Sequence, residues 1–155
     1  MSLHKFSTVP GLTIELAEDH LDAVVRFYND MDKEGQLGMS EITGLRKEFH
    51  PDTELPTNGT TVALVLNGVC IGFGRYRVQP EEMGVTFLSV SNLYIDAAYR
   101  GKGYSKKLLS YFHEVGKKNH CNAMVLNVTS NNTTAIKLYS KQGFKEAAKV
   151  MVCKL

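Results

Sequence analysis

Long hydrophobic runs are absent: nothing in the 155 residues approaches the length of a membrane span, so no membrane partner is expected. Met1 to Leu16 lacks the basic flank and apolar core of a secretory signal, so none is expected there. Cysteine is scarce. Cys70, Cys121 and Cys153 are odd in number, far apart and without Cys-x-x-Cys spacing. That disfavours a disulfide framework or a zinc site and favours reduced thiols in a cytoplasmic setting, with no metal. Without secretion, the Asn-x-Thr triplets at Asn58, Asn127, Asn131 and Asn132 carry no meaning as glycan sites. Repeats and low-complexity segments are missing too. Nucleic acid is not an expected partner, because no aromatic-rich basic strand or finger spacing is there to read it.

What remains is an ordinary globular composition, 43% hydrophobic and 22% charged, in a length that suits one domain over residues 1–155. Charge is segregated. Residues 1–90 hold seven Lys/Arg against thirteen Asp/Glu, and residues 91–155 hold eleven against three. The basic part suits a polyanionic ligand and the acidic part a cationic one.

The stretch from Asn92 to Leu109 organises the rest. Leu93, Tyr94 and Ile95 end an apolar strand, Arg100-Gly101-Lys102-Gly103 form a basic loop, and Tyr104, Leu108, Leu109, Phe112 and Val115 make a helical stripe. Glycines let backbone approach a ligand closely. The helix start supplies unpaired N–H groups and the positive end of a dipole, so the pattern predicts a phosphate cradle. No Gly-Lys-Ser/Thr follows the loop, which disfavours a P-loop.

Elsewhere, alternation predicts a strand over Leu12–Leu16 and helical spacing a helix over Glu18–Met31 with Leu21, Val24, Val25 and Tyr28 on one face. A polar loop follows from Asp30 to Gly38, then a short helix from Ser40 to near Pro51 and a loop to Gly59. Thr61–Leu66 and Val69–Val78 read as a hairpin around Asn67-Gly68, favouring a type I′ turn. Gly72 and Gly74 suggest close backbone approach or a bend. Gln79–Gly84 reads as a connection and Val85–Ile95 as the next strand. The helix from Gly103 leads to a strand over Ala123–Val128, a βαβ unit that makes its two strands parallel. Asn132 is suited to cap a last helix through Tyr139, and the chain closes with a strand over Val150–Cys153.

Two motifs carry a family resemblance. Leu93-Tyr94-Ile95 followed by Tyr99-Arg100-Gly101-Lys102-Gly103-Tyr104-Ser105 is one; Asn132-Thr133-Thr134-Ala135-Ile136-Lys137-Leu138-Tyr139 followed by Gly143-Phe144 is the other. Together they resemble the GNAT family of acetyl-CoA dependent N-acetyltransferases. The resemblance implies the α/β acyl-CoA N-acyltransferase fold, a mixed, mostly antiparallel sheet of six to seven strands with a parallel splayed pair and about four helices. It also implies transfer of an acetyl group from acetyl-CoA to a primary amine by direct attack, in a monomer or homodimer. A non-catalytic acyl-CoA binding module is the alternative.

On that resemblance, the backbone of Arg100, Gly101, Lys102, Gly103, Tyr104 and Ser105 binds pyrophosphate. Ser105 stands where the family has Gly or Ala, and its backbone N–H is retained. Leu93, Tyr94 and Ile95 offer N–H groups to the acyl carbonyl, Asn132 contacts the pantetheine arm or caps its helix, and Tyr139 protonates the departing thiolate. The base is harder to assign. Ser89, Ser91 and Asn92 occupy the strand position where many relatives carry Glu, which leaves Glu82, Glu81 or a water relay. His50 and His113 are further candidates by residue type, but His113 suits packing or surface. Asp30, Asp32 and Glu34 favour a cationic acceptor, whereas Arg75 and Arg77 favour a carboxylate.

Overall fold

A computed structural model describes residues 2–34 and 55–155, without the side chains of Asp32, Pro80, Glu81 and Glu82. The end of the loop expected to Gly38, the short helix expected after Ser40, His50, and the first part of the loop after it, through residue 54, lie outside the described residues.

Six strands form one sheet in chain order: β1 (Ser2–Lys5), β2 (Leu12–Leu16), β3 (Thr60–Leu66), β4 (Val69–Glu82), β5 (Val85–Ile95) and β6 (Ala123–Leu126). Neighbours are antiparallel except β5 and β6, which run parallel as the intervening helix requires. Three α-helices are described, α1 (Leu21–Lys33), α2 (Tyr104–Lys118) and α3 (Thr133–Lys141), and a 3-10 turn over Ala17–His20 leads into α1.

Tight left-handed turns set the hairpins. Asn67 and Gly68 have φ of 49° and 82°, as a type I′ turn demands. Met83 and Gly84 repeat the device at 55° and 82°, so β4 extends to Glu82. The connection expected over Gln79–Gly84 therefore shrinks to two residues, and Glu81 and Glu82 belong to a strand rather than a loop.

Each face of the sheet carries its own core. Val24, Phe27, Tyr28 and Met31 of α1 pack on Ala63, Val65, Phe73 and Tyr94. Leu108, Tyr111 and Phe112 of α2 pack on Ile14, Leu64, Ile71, Leu88 and Ile95. Phe27, Phe73 and Phe112 are fully buried, each contributing about 2–3 kcal/mol. Gly74 permits the close fit of α2, since a Cβ there would lie 2.5 Å from Phe112 Cζ; one at Gly72 would lie 2.5 Å from the Tyr94 carbonyl.

Two boundaries differ from expectation. β1 forms although Ser2–Lys5 shows no alternation, because β2 offers it an edge. The strand expected over Val150–Cys153 does not form. Residues 144–155 carry no regular secondary structure, and Val150 and Met151 are exposed. Apolar alternation marks a segment that suits a sheet, but a strand also needs a ladder partner, and in this sheet β6 pairs only with β5.

Candidate active site

The site begins with a bulge. Asn92 pairs with Arg75 and Val90 with Tyr76, which leaves Ser91 without a partner in β4. β6 follows β5 only over Phe87–Val90. Beyond the bulge β5 keeps β4 on one edge, through Leu93↔Gly74, Tyr94↔Phe73 and Ile95↔Gly72, while β6 has left the other.

Strand alternation then decides which amides open onto that gap. Asp96 N donates to Ile71 O at 2.8 Å, toward β4. Successive backbone groups point to opposite edges, so Tyr94 also faces β4 while Leu93 and Ile95 face the gap. The Ile95 carbonyl confirms its direction by accepting from Arg100 Nε at 2.9 Å. Of the three residues singled out in the sequence, two present their amides to the open edge and Tyr94 does not.

The loop sits at the mouth of this gap. Gly101 and Gly103 have φ of 77° and 82°, and a Cβ at either would meet nothing within 4 Å. These glycines are therefore set by backbone conformation beside open space, not by protein packing. Gly103 is the N-cap of α2 and no side chain caps the helix; the first helical hydrogen bond of this turn runs from Lys107 N to Gly103 O at 3.3 Å. The amides of Tyr104, Ser105 and Lys106 are thus left in the first turn, where the helix dipole favours an anion. Lys102 is exposed, its ammonium 5.8 Å from the Tyr99 ring centre.

Arg100 is held within the protein. Beside its bond to Ile95 O, its Nη2 meets both carboxylate oxygens of Glu34, and its guanidinium lies 5.0 Å from the Tyr94 ring centre. Tyr94 donates its hydroxyl to the same carboxylate at 3.1 Å. Burial first, and that bond second, push the Tyr94 phenol up to about 12. Glu34, grouped in the sequence with residues that receive the acceptor, instead ties the end of α1 to the loop.

Asn132 caps α3, its side chain accepting from Ala135 N at 3.2 Å. Tyr139 is half-buried, edge-on to Phe144 at 5.8 Å between ring centres, and burial raises its phenol above the ordinary value near 10. His113 is exposed on α2. The backbone of Glu82 pairs with Val85, eight residues before Leu93, or roughly 26 Å at about 3.3 Å per residue. Its side chain is outside the described residues, and the strand places its backbone at the opposite end of β5 from the gap.

The sequence marks Arg75, Ser91 and Asn92 separately but not their meeting in one polar cluster beneath the bulge. Arg75 Nη1 donates to Ser91 Oγ at 3.0 Å, its Nη2 to Asn58 Oδ1, and Tyr28 donates to Asn92 Oδ1 at 3.1 Å. The available signal was a cation, Arg75, directly after the apolar first half of β4.

A parallel pair opened by a bulge, with bare amides at its edge and a glycine-led helix start at its mouth, defines a class of protein. The model of the acetyltransferase (GNAT) family matches residues 18–144, and the chain belongs to that family. Among its relatives is the spermine/spermidine N(1)-acetyltransferase of Bacillus subtilis, 32% identical over 90 residues that cover 54% of this chain. The match covers 58% of that relative's length. The fold is shared with a ribosomal-protein-alanine N-acetyltransferase from Brucella melitensis (TM-score 0.70, 16% identity, 93% of this chain and 98% of that one). It is also shared with an aminoglycoside N-acetyltransferase solved in complex with CoA (TM-score 0.65, 14% identity, 93% of each chain). Among the described residues no helix is long and apolar enough to cross a membrane.

Proposed function

We propose that residues 1–155 act as one N-acetyltransferase domain that takes acetyl-CoA as co-substrate and acetylates a primary amine by direct attack in a ternary complex. The observation that carries this reading is the open β5 edge at Leu93 and Ile95, set beside the uncapped start of α2.

The residues fit the co-substrate chemically. Amides of residues 101–105, with open space around both glycines, suit a pyrophosphate, and Lys102 adds charge. Arg100 lends its charge from within its pair with Glu34 and fixes the Ile95 carbonyl, which keeps the edge in position. A thioester carbonyl lying along the gap meets the amide of Leu93 or Ile95. Such a preorganised donor, aimed at the oxyanion that develops on attack, contributes a few kcal/mol. Tyr139 is the proposed acid for the departing thiolate. Its raised pKa keeps the hydroxyl protonated across the neutral range, as a donor requires. Asn132 holds the start of α3 and has its amide N–H2 left for the pantetheine arm. No Cys or Ser stands in a nucleophile motif with a paired His, which supports direct attack over a covalent enzyme intermediate. Free thiols at Cys70, Cys121 and Cys153 support a cytoplasmic setting.

The test is release of free thiol from acetyl-CoA against a panel of primary amines that includes polyamines, amino acids and aminoglycosides, with mass spectrometry of the products. Thiol release matched by a gain of one acetyl group on the amine is expected. Coenzyme A binding without release toward any amine would favour a non-catalytic acyl-CoA binding module.

A further inference from the structure

Arg75 stands out in the electrostatics of the molecule. Among the described residues it is the charged side chain that is buried, 8% exposed. Its guanidinium bonds only neutral oxygens, Ser91 Oγ and Asn58 Oδ1, and its Nε is buried with no partner. Among the described residues no carboxylate pairs with it. A cation removed from water and met only by neutral groups is costly, and such groups are ordinarily paired. Deleting the charge would be an easy gain in stability unless the cation has a second task.

Its position suggests that task. Arg75 lies across from Asn92, on the face of the sheet that carries α1. Asn92 immediately precedes Leu93, whose amide opens onto the gap, and Ser91, which Arg75 holds, is two residues from Leu93. At about 3.3 Å per residue the guanidinium is roughly 7 Å along the strand from the proposed acyl position. That separation suits a molecule whose amine and anionic group are a few bonds apart. A guanidinium carries five N–H donors, and Ser91 and Asn58 take one each from Nη1 and Nη2, so an Nη hydrogen on either side remains for a planar carboxylate, whose attraction is stronger where water is excluded.

Resting on the acetyltransferase reading, we infer that Arg75 is the specificity residue of the acceptor subsite, and that the acceptor is an amino acid whose carboxylate pairs with the guanidinium while its amine meets the acyl group. A polyamine, by contrast, would bring like charge to this cation.

The experiment compares L-amino acids with their C-terminal amides as acceptors, by thiol release and by calorimetric titration into the protein saturated with coenzyme A. At least tenfold higher kcat/KM for the acid than for its amide is expected. In Arg75→Met the KM for the amino acid should rise tenfold or more and that for acetyl-CoA far less, with partial recovery in Arg75→Lys. Amides or polyamines used as well as the acids would overturn the inference and leave the acetyltransferase reading intact. So would an Arg75→Met variant that loses acetyl-CoA binding and all turnover together, because Arg75 would then only brace the bulge. If Arg75→Met fails to fold, the acid–amide comparison on the unaltered protein decides. If no amine yields thiol, calorimetry decides: heat from an amino acid and none from its amide supports the inference, and equal heats overturn it.

Discussion

Arg100 closes on Glu34, its Nη2 2.9 Å from one carboxylate oxygen and 3.0 Å from the other, across 66 residues of sequence. The pair joins the end of α1 to the loop that follows β5. Both side chains remain partly in solvent, so the ion pair itself is worth no more than about 1 kcal/mol. Glu34→Gln should therefore lower the melting temperature by a few degrees at low salt and by less at 1 M salt, where exposed pairs are screened to a Debye length of about 3 Å. Thermal melts at two salt concentrations check this.

Gly103 and Gly68 make a controlled pair. Both have φ of 82° and both leave space for a methyl group, so alanine should cost each about 1–2 kcal/mol of backbone strain. Only Gly103 lies at the proposed cradle. Gly103→Ala should weaken acetyl-CoA binding tenfold or more by calorimetry, and Gly68→Ala should leave it unchanged at similar loss of melting temperature.

The cap on α3 separates structure from binding. Asn132→Ala should destabilise by about 1 kcal/mol through loss of the bond to Ala135 N. Asn132→Asp keeps a good cap and removes the amide donor. If the amide contacts the pantetheine arm, the aspartate variant melts like the parent protein and binds acetyl-CoA more weakly; denaturant titration and calorimetry measure the two effects.

Alkaline pH should destabilise the fold. Burial pushes the Cys70 thiol up to about 11 from an ordinary value near 9, and the Tyr94 and Tyr111 phenols up to about 12 from near 10. In each case the unfolded chain ionises first, so the folded state is favoured in full below the unfolded values. That advantage is lost as pH rises from about 9 through 12. Melting temperature should be flat from pH 7 to 8.5 and fall above 9, and Cys70→Ala should remove part of the fall between 9 and 11.

Local chemistry made much of this molecule legible. Asn67-Gly68 announced its turn, Asn132 its cap, and Gly72 and Gly74 the close approach later seen against Tyr94 and Phe112. The parallel pairing of β5 with β6 followed from the helix between them. What stayed hidden depends on distant partners. No local pattern marks Ser91 as a bulge, yet that single extra residue turns the Leu93 and Ile95 amides toward the gap. Glu34 looked like an acceptor ligand because its partner lies on another element. The distance of Glu82 from Leu93 is equally hidden, because only the two-residue turn at Met83-Gly84 extends β4 to Glu82 and sets its backbone far along β5. Val150–Cys153 had the alternation of a strand but found no ladder.

The central claim concerns backbone amides, and amide-resolved NMR reads them directly. On saturation with acetyl-CoA, Leu93, Ile95 and the first-turn amides of Tyr104 to Lys106 should shift and exchange more slowly with solvent. Tyr94, already directed to β4, should change little. Unaltered exchange at Leu93, Ile95 and the start of α2 under saturating acetyl-CoA would contradict the account.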